Sequence, residues 1–100
     1  MGNQIILAPE AEQDLDEIVA YIAKDNPMAA EKFGINLIER IELLKSFPRL
    51  GRVVRGRRGE RVLLEGSILI FYRLDAGAGV IEIKRFWHGA RGTRLCKGKD

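Results

Sequence analysis

Between residues 49 and 61 the chain reads RLGRVVRGRRGER, where Arg49, Arg52, Arg55, Arg57, Arg58 and Arg61 have a single acidic neighbour, Glu60. Guanidinium groups stay protonated and present a rigid fork of N–H donors, so such a cluster can hold phosphate or carboxylate but cannot act as a general base. Two readings of the segment compete, a solvated loop and an anion-binding surface. Groups able to move a proton are few. His88 is the single histidine, Arg91 follows it by three residues, and Tyr72 precedes Arg73 in the run ILIFYRL. His88 reads either as an acid or base or as a strand-end histidine bonded to backbone. Arg91 either holds an anion or clasps the C-terminus. Tyr72 and Trp87 either stack on bases or pack in the core or against a partner. Arg73 is a better functional candidate than the loop arginines, because a strand fixes the direction of its side chain whereas a loop must be ordered at a cost.

Several other chemistries lack their residues. No Cys/His cluster supports zinc, no GxxxxGK supports a phosphate-binding loop, and no Ser/His/Asp pattern points to hydrolysis. The carboxylates fall mainly in the predicted helices, which argues against a paired-carboxylate metal site, and no cofactor is expected. Cys96, the only cysteine, has no partner for an internal disulfide and reads as an incidental thiol. The longest apolar run is ILIF at 68–71, far short of the roughly 20 residues that span a bilayer, so no membrane is expected as a partner. The opening MGNQIILAPE lacks the basic start and long apolar stretch of a secretory signal, and a reducing cytoplasm is the expected location.

The net charge of +3 conceals an asymmetry. Residues 1–48 carry four basic against nine acidic side chains, a balance of −5, and residues 49–100 carry thirteen against five, a balance of +8. A field concentrated in one half attracts polyanions or an acidic partner segment.

The elements that position these residues follow from periodicity. With 100 residues, 46% of them hydrophobic, the chain suits one domain spanning 1–100 and leaves nothing for a second. NQIIL is short and β-prone, and Pro9 suits the first turn of a helix. Ala11, Leu15, Ile18 and Ile22 recur at helical spacing. Asn26 is a good N-cap and Pro27 a good first residue for a second helix, which carries Ala30, Phe33, Leu37, Ile41 and Leu44 on one stripe. SFPRLG ends it, since Pro48 cannot continue a helix and Gly51 permits a turn.

After the arginine segment the period drops to about 2, with strands at 61–65, 68–74 and 80–88 and a hairpin turn at Gly66-Ser67. In the last strand Ile81 and Ile83 differ in parity from Phe86 and His88, and a β-bulge near Lys84-Arg85 would align all four. The expected fold is α+β in the order β-α-α-β-β-β: an N-terminal strand, an antiparallel helix hairpin and a three-stranded, mostly antiparallel sheet. The helices pack on one sheet face and cover Val62, Leu64, Ile68, Ile70, Ile81 and Ile83. The opposite face and the preceding loop would then carry the arginines, and the tail from about residue 92 looks loosely ordered.

The stretches APEAEQDLDEIVAYIAKDNPMAAEKF, SFPRLGR, ILIFYRL and FWHGAR, in this order over nearly the whole chain, resemble the RelE/ParE superfamily of bacterial toxins from type II toxin–antitoxin modules. The long hairpin, FPRLGR and HGAR look more like the ParE branch. The resemblance implies a small toxin neutralised by a cognate antitoxin in a hetero-oligomer, with DNA gyrase as the target. For the RelE branch it implies instead cleavage of mRNA on the ribosome. A third expectation is a non-toxic module that only binds antitoxin. RNA cleavage without metal needs a group to activate the 2′-hydroxyl, a group to protonate the leaving oxygen, and cations for the phosphorane. RelE-type enzymes are understood to use basic residues and a C-terminal tyrosine, yet ARGTRLCKGKD holds no aromatic residue. A ribonuclease here would have to rely on His88, Arg91, Arg73 and Tyr72. A toxin acting by binding would instead use Arg55, Arg57, Arg58, Arg61, Arg73 and Arg91 as its anion-binding surface.

Overall fold

In the computed structural model, which describes residues 3–88, strand β1 (Gln4–Leu7) passes through Ala8 into helix α1 (Pro9–Asp25). The expected loose tail, Arg91 and Cys96 lie outside the described residues. Asn26 joins α1 to α2 (Pro27–Ser46): its N–H donates to the Ile22 carbonyl, and its side-chain oxygen accepts the Ala29 N–H at 3.1 Å. One residue thus ends the first helix and caps the second, folding the pair into the expected hairpin. Ala11 and Ile18 of α1 are buried, as are Ala30, Leu37, Ile41 and Leu44 of α2. Leu15, Ile22 and Phe33 pack partly buried against them, on the stripes that the periodicity predicted.

The sheet has five strands, in the order β1-β5-β4-β3-β2, where three were expected: β2 (Arg52–Val53), β3 (Glu60–Glu65), β4 (Ile68–Asp75) and β5 (Val80–His88) complete it. β1 pairs parallel with β5, Ile5 beside Ile81 and Leu7 beside Ile83, so its two inward side chains extend the core. The two-residue β2 pairs antiparallel with β3 because the chain after Gly51 turns back along that strand. The remaining neighbours are antiparallel.

One expectation about the core is corrected. Leu63, not Val62 or Leu64, faces the helices, and Leu64 is 58% exposed. The hairpin pairs Glu65 with Ile68 and Leu63 with Ile70, and since facing residues share a side of the pleat, the buried Ile70 draws Leu63 inward. The predicted bulge is present. Phe71 lies opposite Arg85 and Tyr72 opposite Ile83, leaving Lys84 as the extra residue, so Ile81, Ile83 and Phe86 are all buried on the helix side.

β1 stops opposite Ile83 and leaves the next stretch of β5 without a strand neighbour on that edge, its other edge staying paired with β4. Asp14 of α1 takes that place. Its carboxylate accepts the Phe86 N–H at 3.1 Å, Arg85 Nε at 2.6 Å and Arg85 Nη2 at 3.0 Å, tying helix to bulge.

Candidate functional site: a cationic open face and its supports

Tyr72 has no exposed surface. Its hydroxyl accepts the Gly51 N–H at 2.8 Å and donates to the Pro48 carbonyl at 2.8 Å. Burial pushes the phenol above its ordinary value by more than the Gly51 hydrogen bond and the Arg61 charge pull it down. This tyrosine is a buried strut whose hydroxyl is engaged on both sides by backbone. The glycine of SFPRLGR is explained by the same contact. A Cβ on Gly51 would lie 2.7 Å from the Val62 carbonyl oxygen and 2.8 Å from Tyr72 Cε1, so close approach rather than turn freedom demands glycine. Arg61 Nη1 donates to the Gly51 carbonyl at 2.8 Å, which makes one of the six clustered arginines a structural brace.

The loop between β2 and β3 is held by its own backbone. The N–H groups of Arg57 and Glu60 reach the carbonyls of Val54 and Arg57, and Gly56 and Gly59 take positive φ angles of 81° and 77°. The Gly59 carbonyl accepts the Leu74 N–H, docking the loop on β4. Arg55, Arg57 and Arg58 therefore project from an ordered turn, all exposed. Arg57, itself exposed, approaches the mostly buried Glu60 side chain only to 3.7 Å, a long contact that contributes little.

Beside this loop the sheet turns its uncovered face to solvent. Arg73 stands there, exposed, with Glu60 of β3 and Glu82 of β5 as its strand neighbours. Arg58 and Arg73 line a shallow groove together with Asp75 and Glu82. Nearer the bulge, Phe71 and Trp87 form the aromatic part of a second cleft of about 380 Å³, completed by Val54, Arg57, Glu60, Lys84 and Arg85. Trp87 Nε1 is buried and has no hydrogen-bond partner among the described residues.

His88 sits elsewhere. It continues the inward parity of Phe86 at the end of β5 and meets Tyr21 of α1 edge-on, ring centroids 5.5 Å apart at 74°. Ile22 and Phe33 of the helices and Ile68 of the sheet line the same notch. The structure thus brings Arg57, Arg58 and Arg73 to one face and leaves Arg55 at the loop's edge. It commits Arg61 and Tyr72 to the scaffold, and puts His88 on the helix side. Arg91 is outside the described residues. Phe71 was not singled out in the sequence, and Lys84 and Arg85 were read only as the place of a bulge, although the alternation of ILIFYRL already puts Phe71 and Arg73 on the side opposite Ile70 and Tyr72. Among the described residues no helix is long and apolar enough to cross a membrane, and no group of three His, Cys, Asp or Glu residues could hold a metal ion.

Residues 5–92 match the family model described as the ParE toxin of the type II toxin–antitoxin system parDE. Toxin RelE2 of Caulobacter vibrioides is 28% identical over 88 residues, which cover 88% of this chain and 97% of that protein. Among solved structures, the fold is similar to a chain of the chromosomal ParDE system from P. aeruginosa. That likeness has a TM-score of 0.71 at 24% identity and covers 86% of this chain and 95% of the other. It is also similar to a chain of the RelBE2 toxin–antitoxin complex from Mycobacterium tuberculosis, with a TM-score of 0.60 at 22% identity, covering 88% and 99%.

Proposed function

This chain belongs to the ParE toxin family of type II toxin–antitoxin systems, and from that premise we propose that it arrests growth by binding and poisoning DNA gyrase and is neutralised by a cognate antitoxin. The division of the sheet into two faces carries this reading. Cleaving RNA requires an acid, a base and cations around one phosphate. Here Tyr72 keeps its proton between Pro48 and Gly51, His88 faces the helices, and Arg57, Arg58 and Arg73 lie on the opposite side. An exposed cationic face without a proton-transfer partner suits binding, and gyrase engaged on DNA presents the anionic surface it would meet. The antitoxin has an apolar flank available in Met28, Ile35 and Ile38 of α2, all more than half exposed.

The deciding experiment adds antitoxin-free protein to gyrase, supercoiled plasmid and ATP. Protein-linked double-strand breaks, suppressed by antitoxin, are the expected result. Unaltered gyrase, from protein that arrests growth when overexpressed, would reject the proposal and direct attention to mRNA on the ribosome. Unimpaired growth would point to an antitoxin-binding module without toxicity.

A further inference from the structure

Phe71 on β4 and Trp87 on β5 share the open face of adjacent strands, diagonally placed: Phe71 pairs with Arg85, and Trp87 with Leu69. Both rings are partly exposed, and neither belongs to the buried core cluster. Cations surround them. Arg57 enters from the loop, and Lys84 and Arg85 from the bulge, with Glu60 as the one carboxylate lining the cleft. Arg85 is engaged by Asp14, and Arg57 approaches Glu60 at 3.7 Å, while Lys84 makes no ion pair among the described residues. The cleft therefore keeps an excess of positive charge.

Two flat aromatic rings and a free ammonium in one cleft define the chemistry of an occupant. It must offer a π face for stacking and an anion for Lys84 and Arg57. A carboxylate side chain has the anion but no aromatic face, whereas a nucleotide has both. The volume, about 380 Å³, lies at the small end of the roughly 300–1,000 Å³ typical of ligand sites, matching one nucleotide rather than a large cofactor.

We propose that the Phe71–Trp87 cleft binds a single nucleotide unit, its base stacked on an aromatic ring and its phosphate held by Lys84 and Arg57. No bond is made or broken there. Free nucleoside phosphates and a unit within a single strand offer the same chemistry. The site is independent of gyrase as target, since it is defined by its own lining residues.

Trp87 is the only tryptophan in the chain, so its emission reports on the cleft directly. The full chain is titrated at low ionic strength with AMP and, separately, with a twelve-residue oligodeoxyadenylate. Saturable quenching is expected, weakening as salt rises because a phosphate contact releases counterions. Quenching by AMP as strong as by the oligonucleotide assigns the site to free nucleotides, and quenching by the oligonucleotide alone assigns it to single strands. The double variant Arg57→Gln/Lys84→Gln should weaken binding at least tenfold. Arg55→Gln, exposed in the same loop but outside the cleft, should change it less than twofold. Should the change within the bulge disturb folding, Arg57→Gln alone, in an exposed loop, is expected to weaken binding about threefold. Absence of quenching by either probe, quenching only by an acidic peptide, or equal losses in the Arg55 and Arg57 variants would overturn the proposal.

Discussion

Tyr72 shows how far residue type alone can mislead about chemistry. A tyrosine beside an arginine in a strand invites an acid–base reading, yet its hydroxyl is spent on Gly51 and Pro48. Tyr72→Phe would leave a buried N–H and carbonyl without partners, a loss of about 1–3 kcal/mol in urea unfolding. Toxicity per folded molecule should not change; its loss at unchanged stability would reassign the residue to function. Burial raises the folded-state pKa above the ordinary 10.0, so above that pH the unfolded chain releases a proton that the folded chain retains. The corresponding stabilisation is complete below about pH 10 and is lost as pH rises through the raised value, so the wild type should lose stability in alkali more steeply than Tyr72→Phe. Gly51→Ala should cost about 1–3 kcal/mol by crowding the Val62 carbonyl and the same ring. None of this was legible in SFPRLGR, where Gly51 looks like ordinary turn punctuation, because the demand comes from a side chain 21 residues away.

Elements were readable where their signal is local and hidden where it depends on a neighbour. Asn26-Pro27 declares a helix start through its own hydrogen bond, and both helix stripes emerged as predicted. In VLLE, by contrast, Leu63 and Leu64 are chemically identical, and only the pairing of Leu63 with Ile70 decides which one is buried. The two-residue β2 carries no periodicity at all. The bulge in β5 lay between these cases, since the parity break between Ile83 and Phe86 announced it, but its support by Asp14 is long-range. Asp14→Ala removes the acceptor of the Phe86 N–H together with the Arg85 pair. Because Arg85 is about half exposed, solvent screens the pair, and the expected total cost is about 1 kcal/mol. The sharper readout is hydrogen exchange. The Phe86 amide should exchange faster in Asp14→Ala while those of Ile70 and Ile81 keep their protection; Asp14→Asn, which retains one oxygen acceptor, should lie between. An unchanged Phe86 amide would mean that another group caps that edge.

At the scale of the whole molecule, the acidic first half and basic second half become two sides of one sheet. The helices, with most of the acidic residues, cover one face, while Arg57, Arg58 and Arg73 occupy the other. That separation was legible as a charge asymmetry, and the parity break that announced the extra residue in β5 also put His88 on the side of Ile81, Ile83 and Phe86. The two toxin mechanisms therefore predict opposite rankings of the same substitutions. If poisoning works through the open face, the triple variant Arg57→Gln/Arg58→Gln/Arg73→Gln should reduce gyrase-linked breaks at least tenfold and flatten their dependence on ionic strength, since fewer anionic contacts are neutralised. All three side chains are exposed, so the fold should persist with a circular dichroism spectrum like that of the wild type. His88→Gln, on the helix side, should leave break formation within about twofold of wild type once any stability change is allowed for. Growth arrest abolished by His88→Gln in a folded protein, with the triple variant still toxic, would reverse the assignment and place the chemistry on the helix side of the sheet.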